Sequence, residues 1–517
     1  MRFTRTITSH PTVHRTARKA KRSNRRGATL VLCALLFIPL VGMVGLVIDA
    51  GLLMAAHRNS QNAADAAALA AAEDLMVGKA SGEAGMTAQE FVAKHASGDE
   101  PLNAEVHIPP ATGPYAGENG YAEVVVSGSR RTYFLHVLSG LAGAKSEHSV
   151  QARAVAGTRP VTAGAGVVVL DRHKKPGLDV GGGAQLLVNG RVYDNSEGGG
   201  VDENGDPVLI DTAQYAGTVS PNALLRATDI RIVGGVNDPD QFQNFDPNDS
   251  TNVLHAGQLP VPDPLINLAT PTVDTGVDPT YRGSPQASTT NLKLGDQTAE
   301  EPKLNYIENE GTEDARMVLH PGIYTSIDIT GGKVRFEPGI YVLRPDKNTT
   351  NTLKITGGDV VAEGIMFYNT GSNYDPVSGA PDSNDRIPAA DGLDQEPPAT
   401  DGADFGGITI NASMQFSPID LDEHSYDPMH TPSEDFEGML FYQRRLNTEG
   451  VDFQGNAEEG NLTGTIYAKW AHFKIAGQGT FDAQFIVGSL EVTGNGELTI
   501  NYTGEDEGHG YNVFLVE

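Results

Sequence analysis

Two acidic runs have the residue types and spacing of a possible cation site. Asp420 and Asp422 alternate along the chain and could present carboxylate oxygens to one Ca²⁺. A second run carries four further aspartates: Asp238, Asp240, Asp246 and Asp249. Neither run has the Gly and terminal Glu spacing of an EF-hand loop. A calcium site at Asp420 and Asp422 is therefore one hypothesis, and a solvated acidic loop is the default interpretation.

The stretch Tyr467–Lys474 contains the only tryptophan of the chain. If it forms a strand, Trp470 and His472 share one face because side chains alternate along a strand. An exposed Trp-His face could bind a surface glycan. A partly buried strand face is the alternative that the pattern favours.

No catalytic residues are predicted. A nucleophile elbow, a P-loop, HExxH and paired CxxC motifs are all absent from the sequence. Glycoside hydrolysis needs two carboxylates at a fixed separation, and no acidic pair stands out as such a site. An anchored polysaccharide-active enzyme and a Ca²⁺-stabilised matrix-binding module remain the alternatives to a non-catalytic scaffold without cofactors.

The charge balance argues against nucleic acid as a partner. The 517 residues carry a formal net charge of −29, and nine Lys and Arg residues precede the first acidic residue, Asp49. The remainder is thus still more acidic and repels polyanions. The single cysteine, Cys33, excludes an intramolecular disulfide.

One apolar stretch near the amino terminus predicts a membrane span. No charged side chain occurs between Ala28 and Ile48, and about 20 apolar residues suffice for a helix to cross a bilayer. Apolar character continues to Ala56, which favours an uncut helix over residues 28–56 rather than a secretory signal with an apolar core of about 7–15 residues. The basic leader, residues 1–27, predicts a cytoplasmic amino terminus and an exported remainder.

Asp49 lies where this helix would leave the hydrocarbon. A carboxylate there is costly. It is either an interfacial residue reached by water or a contact for a partner's basic group or amide. The alanine-rich run Asn59–Ala72 predicts that the helix continues as a stalk, whose small side chains would let partner helices approach closely.

The motifs of this segment resemble those of one family. Arg26-Gly27-Ala28, the apolar span, Ile48-Asp49-Ala50-Gly51 and Gln61-Asn62-Ala63-Ala64-Asp65-Ala66-Ala67-Ala68-Leu69-Ala70 follow each other as in TadE/TadG-like proteins of the tight-adherence (Flp) pilus system. The resemblance covers about fifty residues. Processed pseudopilins of that system resemble type IV prepilins in carrying Glu at the fifth position after the cleavage glycine. Here that position is Leu32, so the uncleaved TadG-like branch fits better.

The resemblance implies a location and partners. The chain would be a single-pass protein of the bacterial inner membrane, with its carboxyl-terminal domain periplasmic or extracellular. It would contact membrane lipid and other Tad pilus-assembly membrane proteins in pilus assembly or surface adhesion. The residues implied in membrane anchoring and helix packing are Asp49, Gly51, Gln61, Asn62 and Asp65.

After the span, residues 57–160 predict the stalk and a small α/β module. Thr87–His95 favours a short helix, and three alternating runs favour strands that form a small antiparallel sheet against the stalk. These runs are Asn103–Ile108, Tyr121–Gly128 and Ser149–Ala156.

Residues 161–517 predict a mainly β domain. Five short runs begin with Gly and end with Tyr: Gly322–Tyr324, Gly339–Tyr341, Gly364–Tyr368, Gly438–Tyr442 and Gly464–Tyr467. Short strands between glycine turns favour a right-handed parallel β-helix. Against it, Asn189-Gly190, Asn204-Gly205 and Asn495-Gly496 are typical of hairpin turns, which suit a sandwich.

The tyrosines that end these runs predict a stacked core ladder, with an aromatic strip for sugar rings as the alternative. Three acidic insertions interrupt the runs and are predicted to be loops: residues 237–316, 370–404 and 419–435. The first contains Val261-Pro262-Asp263-Pro264-Leu265, a stiff extended segment. A "PDPL" stretch ahead of such runs is a second, weaker resemblance to TadG-like proteins.

Overall fold

The computed structural model describes most of the chain after the basic leader. The described ranges are 26–76, 79–95, 102–118, 120–134, 147–161, 164–208, 214–298, 304–385, 401–411, 414–457, 462–501 and 510–516. The predicted cytoplasmic leader therefore lies almost entirely outside the described residues. The chain divides into two units, the first comprising Met1–Gly157 with Val513–Glu517 and the second Thr158–Asn512.

Two α-helices open the first unit. Helix α1 spans Arg26–Met76, and α2 spans Ser81–His95. α1 continues through Pro39. The predicted span and stalk thus form one helix of 51 residues.

The first unit also contains a four-stranded sheet. Its strands are β1 (Asn103–His107), β2 (Tyr121–Arg131), β3 (Glu147–Val161) and β29 (Gly510–Leu515), in the spatial order β1-β2-β3-β29. β2 pairs antiparallel with β1 and β3, as predicted. The fourth strand was not predicted, because the sequence placed the carboxyl terminus in the β domain. The second unit is thus an insertion between two neighbouring strands of the first.

The second unit consists of short strands. In its amino-terminal part these are β4 (Val167–Val169), β5 (Leu178–Val180), β6 (Gln185–Asp194), β7 (Gly200–Val201), β8 (Pro207–Val208), β9 (Gly217–Val219), β10 (Leu224–Ile232), β11 (Phe242–Asn244) and β12 (Leu254–His255). The middle part contains β13 (Tyr281–Gly283), β14 (Gln286–Ala287), β15 (Leu292–Lys293), β16 (Tyr306–Glu308), β17 (Arg316–Leu319), β18 (Gly322–Tyr324), β19 (Ile327–Phe336) and β20 (Gly339–Leu343).

The strands after β20 complete the unit. They are β21 (Asn351–Ala362), β22 (Ile365–Asn369), β23 (Gly407–Asn411), β24 (Met414–Phe416), β25 (Met439–Gln443), β26 (Val451–Ala457), β27 (Thr463–Thr493) and β28 (Glu497–Asn501). Short 3₁₀ turns cover Pro239–Gln241, Val273–Thr275, Asp382–Asn384 and Glu434–Phe436. The prediction of an apolar amino-terminal helix followed by mainly β structure is confirmed.

Most strand pairs of the second unit are parallel. One series of pairs links β13, β18, β20, β22, β25 and β27. A second links β14, β19, β21, β23, β26 and β27, and a third links β17, β19, β21 and β24. Antiparallel pairs join β7 to β8, β14 to β15 and β16 to β17, so the pairing is mixed.

The first strands of the unit pair with its last ones. β4 and β5 pair in parallel with β27, and β6 pairs in parallel with β28. β6, β9, β10, β11 and β12 then follow in parallel on these. Asn189-Gly190 therefore lies within β6 and forms no hairpin, whereas Asn204-Gly205 does connect the antiparallel pair β7 and β8.

The Gly-to-Tyr runs bury all five tyrosines, but in two different layers. Tyr324 and Tyr341 belong to the main core. Tyr368, Tyr442 and Tyr467 belong to a second apolar cluster, and they lie in register with each other, with ring centroids 5.0 and 5.5 Å apart. Tyr341 pairs with Phe367 rather than with Tyr368. Because successive side chains of a strand point to opposite faces, Tyr368 and the later tyrosines lie on the other face.

The prediction that the first acidic insertion is a loop is wrong in part. β11 and β12 pair with β10 and bury Phe242 and Leu254, while β13 and β14 pair with β18 and β19. A few scattered apolar residues are enough to form strands here, because each short strand pairs with a longer stretch of sheet that the rest of the unit provides. In the second insertion, residues 386–400 lie outside the described part of the chain.

Candidate anchoring and packing site

The amino-terminal half of α1 presents apolar side chains outward. By length and composition alone, Leu35–Leu75 is long and apolar enough to cross a membrane. The exposed large apolar side chains of this half are Leu32, Leu35, Leu36, Phe37, Leu40, Val41, Met43, Val44, Leu46, Val47, Ile48 and Met54. Each keeps between 43% and 71% of its surface exposed.

The carboxyl-terminal half of α1 is packed within its own unit. A set of alanines is fully buried against α2 and the sheet: Ala63, Ala64, Ala67, Ala68, Ala71 and Ala72. Their partners include Ala88 and Val92 of α2 and Val124 of β2. The stalk was predicted to pack with partner helices, but this face is occupied by the chain itself, because small side chains let its own sheet approach.

Asp49 joins α1 to the end of β2. Its Oδ1 accepts a hydrogen bond from the backbone N–H of Tyr133 (3.0 Å), and its Oδ2 accepts one from that of Phe134 (2.8 Å). The side chain is buried with 1% exposed. A Cβ at Gly45, one turn earlier, would overlap the side chain of Phe134. The carboxylate therefore has an intramolecular amide partner, which the sequence could not identify.

Gln61 ties the helix to β3, and Asp65 binds Gln61 from one turn further along the helix. Gln61 Nε2 donates to Asp65 Oδ1 (2.7 Å) and to the carbonyl of Arg153 (3.0 Å). Arg153 Nε in turn lies 2.5 Å from Glu123 Oε1. Of the residues implied by the family resemblance, Gln61 thus contacts the chain's own sheet directly and Asp65 acts through Gln61.

Glu123 is the buried acid of this junction. Its carboxylate also accepts hydrogen bonds from Ala111 N (2.8 Å) and Thr112 Oγ1 (2.7 Å). Burial opposes ionisation, but the hydrogen bonds from Arg153, Thr112 and Ala111 outweigh it and lower the pKa of Glu123 to about 2.

Gly51 and Asn62 differ from the other predicted packing residues. Both are exposed, and a Cβ at Gly51 would have no heavy atom within 4 Å. Within the described residues they make no packing contact that explains their type. They remain predicted contact points for another molecule.

In the second unit, residues 261–278 cover the tyrosine layer. Tyr467 OH donates to Asp263 Oδ2 (2.7 Å), and Lys469 Nζ lies 3.2 Å from the same oxygen. Arg445 donates to the carbonyls of Leu265 (2.6 Å) and Leu268 (3.1 Å). The predicted stiff segment around Pro262 and Pro264 is thus held by buried polar groups.

Arg444 occupies a second buried polar cluster. Its guanidinium lies 2.8–2.9 Å from carboxylate oxygens of Asp382, Asp385 and Asp401. Burial raises the pKa of Asp382 to about 6, although Arg444 opposes the shift. Sequence reasoning missed both arginines, since an Arg-Arg pair that follows an apolar strand carries no sign of burial of its own.

The predicted glycan residues do not present an open aromatic face. Trp470 is buried, with 6% of its surface exposed. His472 bonds Ser489 Oγ through Nδ1 (2.9 Å) and Glu491 Oε2 through Nε2 (3.0 Å). Ser489, His472 and Glu491 are linked by hydrogen bonds as the serine, histidine and acid of a catalytic triad are. However, Ser489 is only 3% exposed, so its hydroxyl is not accessible to a substrate.

The predicted calcium residues form a turn. Asp420 Oδ1 accepts hydrogen bonds from the backbone N–H groups of Asp422 (2.9 Å) and Glu423 (2.8 Å). Within the described ranges, no group of three or more His, Cys, Asp or Glu side chains could hold a metal ion. This turn accounts for Asp420 but gives the carboxylate of Asp422 no role, and the calcium site at these residues stays a prediction.

The first unit thus has the features of an amino-terminal helix with an apolar exposed half and an alanine-rich half packed on a small sheet. Residues 27–74, almost the whole of α1, match the family model "Tad: Putative Flp pilus-assembly TadE/G-like". The resemblance predicted from the motifs is confirmed for this segment.

The other comparisons are less informative. None of the curated proteins matches the chain. Among solved structures, the crystal structure of the competence-associated pilin ComZ from Thermus thermophilus matches with 10% identity, over 81% of this chain and 84% of that chain. Its TM-score is 0.22, a value at which the likeness carries no argument about fold or function.

Proposed function

We propose that this protein is a membrane-anchored, non-catalytic component of a tight-adherence (Flp) pilus assembly, with its inserted β unit exported as a scaffold or adhesive domain. The observation that carries the proposal is the coincidence of the family-matching residues 27–74 with a helix divided into an exposed apolar half and a packed half. An exposed apolar helix in water would be unstable and prone to aggregate.

The length of the exposed half fits a bilayer. From Ala28, where the uncharged stretch begins, to Asp49 the helix advances about 32 Å, close to the thickness of the hydrocarbon core of about 30 Å, so Asp49 falls at its edge. The basic leader before it favours retention of the amino terminus in the cytoplasm. This orientation exports both folded units.

Partner contacts then fall on the membrane half of α1. Because the alanine face is already occupied, packing with other pilus-assembly membrane proteins would use the exposed side of this half. Gly42 and Gly51, whose Cβ positions are open, would permit a close approach of another helix.

For the second unit, the proposal includes the right-handed parallel β-helix that the sequence pattern predicts. The three series of parallel pairs support it, and so does the absence of α-helix among the described residues 164–501. Right-handed connections are nearly universal between parallel strands. Such a stack is a stiff body suited to projecting from an anchor.

Deletion of the gene in its native host tests the function. We expect loss or strong reduction of surface pili and of attachment, with recovery on complementation by the full chain. Normal piliation and attachment in the deletion strain would contradict the proposal. Carbonate-washed membranes test the anchor separately, since an intact anchored chain must sediment with them, and a freely soluble chain would contradict this part.

A further inference from the structure

The end of β2 carries an exposed aromatic pair beside the apolar half of α1. Tyr133 is 66% exposed and Phe134 is 37% exposed, although both follow a strand with a buried face. Neither side chain contributes to the alanine-rich core of the unit. Their exposure needs an explanation other than packing.

Their position along α1 is fixed by two contacts. Asp49 holds the backbone of both residues, and Phe134 packs on Gly45, one turn or about 6 Å nearer the amino terminus. The neighbouring helix residues Val44, Leu46 and Val47 expose 48–71% of their surface. The aromatic pair therefore lies at a level of the helix that is surrounded by outward apolar side chains.

The hydrogen bonds at Asp49 suit a medium with little water. A carboxylate or a backbone N–H without a partner is costly outside water. Here Asp49 and the two N–H groups satisfy each other. These hydrogen bonds thus remove the main free-energy cost of placing the end of β2 at the edge of a bilayer.

We propose that Tyr133 and Phe134 insert into the phospholipid interface as a second membrane contact, beside the point where α1 leaves the hydrocarbon. This inference rests on the proposed membrane anchor. Its occupant is lipid rather than a protein partner, because the pair is continuous with the exposed apolar surface of a helix long enough to cross a membrane. Aromatic side chains are enriched at that depth.

Nitroxide labels in the full-length chain, reconstituted in vesicles of phosphatidylethanolamine and phosphatidylglycerol, test the depth. In a Cys33→Ser background, single cysteines replace Val44 (helix), Tyr133 (aromatic pair), Arg131 (last residue of β2) and Ala116 (control). Ala116 is exposed and precedes the opposite end of β2, about 35 Å away along an 11-residue strand.

The accessibility of each label to oxygen and to a water-soluble nickel chelate gives its depth. We expect the label at residue 133 to be several-fold less accessible to the chelate than that at 116, with residue 131 between them and residue 44 the least accessible.

A lipid-buried label at 44 with labels at 133 and 116 equally open to water would overturn the inference and leave the anchor intact. A water-exposed label at 44 would overturn both. Protection of residue 133 in native membranes but not in the purified vesicles would assign a protein partner in place of lipid, and would also overturn the inference.

Discussion

Arg445 Nε donates a hydrogen bond to the hydroxyl of Tyr467 over 3.1 Å, and both side chains are buried. The same guanidinium lies over the rings of Tyr442 and Tyr467, 5.6 and 5.5 Å from their centroids. It also donates to two carbonyls of the segment that covers the tyrosine layer. One side chain thus joins consecutive strands of a parallel series to a segment about 180 positions earlier in the chain.

Arg445→Met should destabilise the second unit by roughly 3–5 kcal/mol, because it removes the buried donor to the carbonyls of Leu265 and Leu268 and to the hydroxyls of Tyr442 and Tyr467. Fluorescence of Trp470, the only tryptophan, reports the unfolding in denaturant. Arg231→Met, at an exposed arginine, is the matched control and should change the stability by less than about 1 kcal/mol. Equal effects of the two variants would refute the role of Arg445.

Gly45→Ala and Gly51→Ala should have opposite effects although both lie in α1. The first adds a methyl group where Phe134 already packs and should lower the stability of the first unit by about 1–3 kcal/mol. The second adds it in open space and should be neutral or stabilise the helix by up to about 1 kcal/mol. Thermal unfolding in detergent, followed by ellipticity at 222 nm, measures both, since the two described α-helices belong to this unit. A Gly45→Ala variant as stable as Gly51→Ala would exclude the close contact.

The first unit should lose stability in acid. The pKa of Glu123 is lowered to about 2 in the folded state, from an ordinary value of 4.5, so its contribution is complete above pH 4.5 and is lost as the pH falls toward 2. The loss amounts to roughly 3 kcal/mol. In Glu123→Gln this part of the pH dependence should vanish, while Glu90→Gln, at an exposed helix position, should keep it. Identical acid profiles for Glu123→Gln and the unmodified chain would contradict the assignment.

Asp194 should give the second unit the opposite pH dependence, a stability that decreases as the pH rises. Burial raises the pKa of this carboxyl to about 7 in the folded state, from 3.8, so stability is greatest below pH 3.8 and falls as the pH rises through 7. The fall is roughly 4 kcal/mol. Asp194→Asn resembles the protonated form and should be less sensitive to pH between 4 and 7, as measured by denaturation followed at Trp470. Parallel profiles for both proteins would show that Asp194 titrates normally.

Local patterns predicted the strands of the first unit closely. The runs at 103–108, 121–128 and 149–156 became β1, β2 and β3, because one face of each strand packs on the alanines of α1 and so carries a regular alternation. The partner of Asp49 was not predictable. Every residue except proline has a backbone N–H group, so the residue types of Tyr133 and Phe134 do not identify them as donors to this carboxylate.

Strand pairing in the second unit was the hardest feature to predict. Gln484 Nε2 donates to the carbonyl of Ala165 over 2.8 Å although 319 positions separate them. The alternation of residues in a strand indicates which of its faces is buried, but it does not indicate which other strand pairs with it. The hairpin turn that Asn189-Gly190 offered as an argument against the β-helix does not form for this reason, since the flanking runs pair in parallel with β28 and β4.

The sequence by itself determined the uncharged apolar helix with its basic leader, the acidic balance of the remainder and the short glycine-bounded strands. These follow from hydropathy, charge and local backbone preference, which act over a few residues. Tertiary structure alone decided that β29 completes the first sheet, that Asp49 accepts hydrogen bonds from the two residues after β2 and that Arg444 and Arg445 are buried. Each of these depends on which distant segments come together, and that choice is made by the packing of the whole chain.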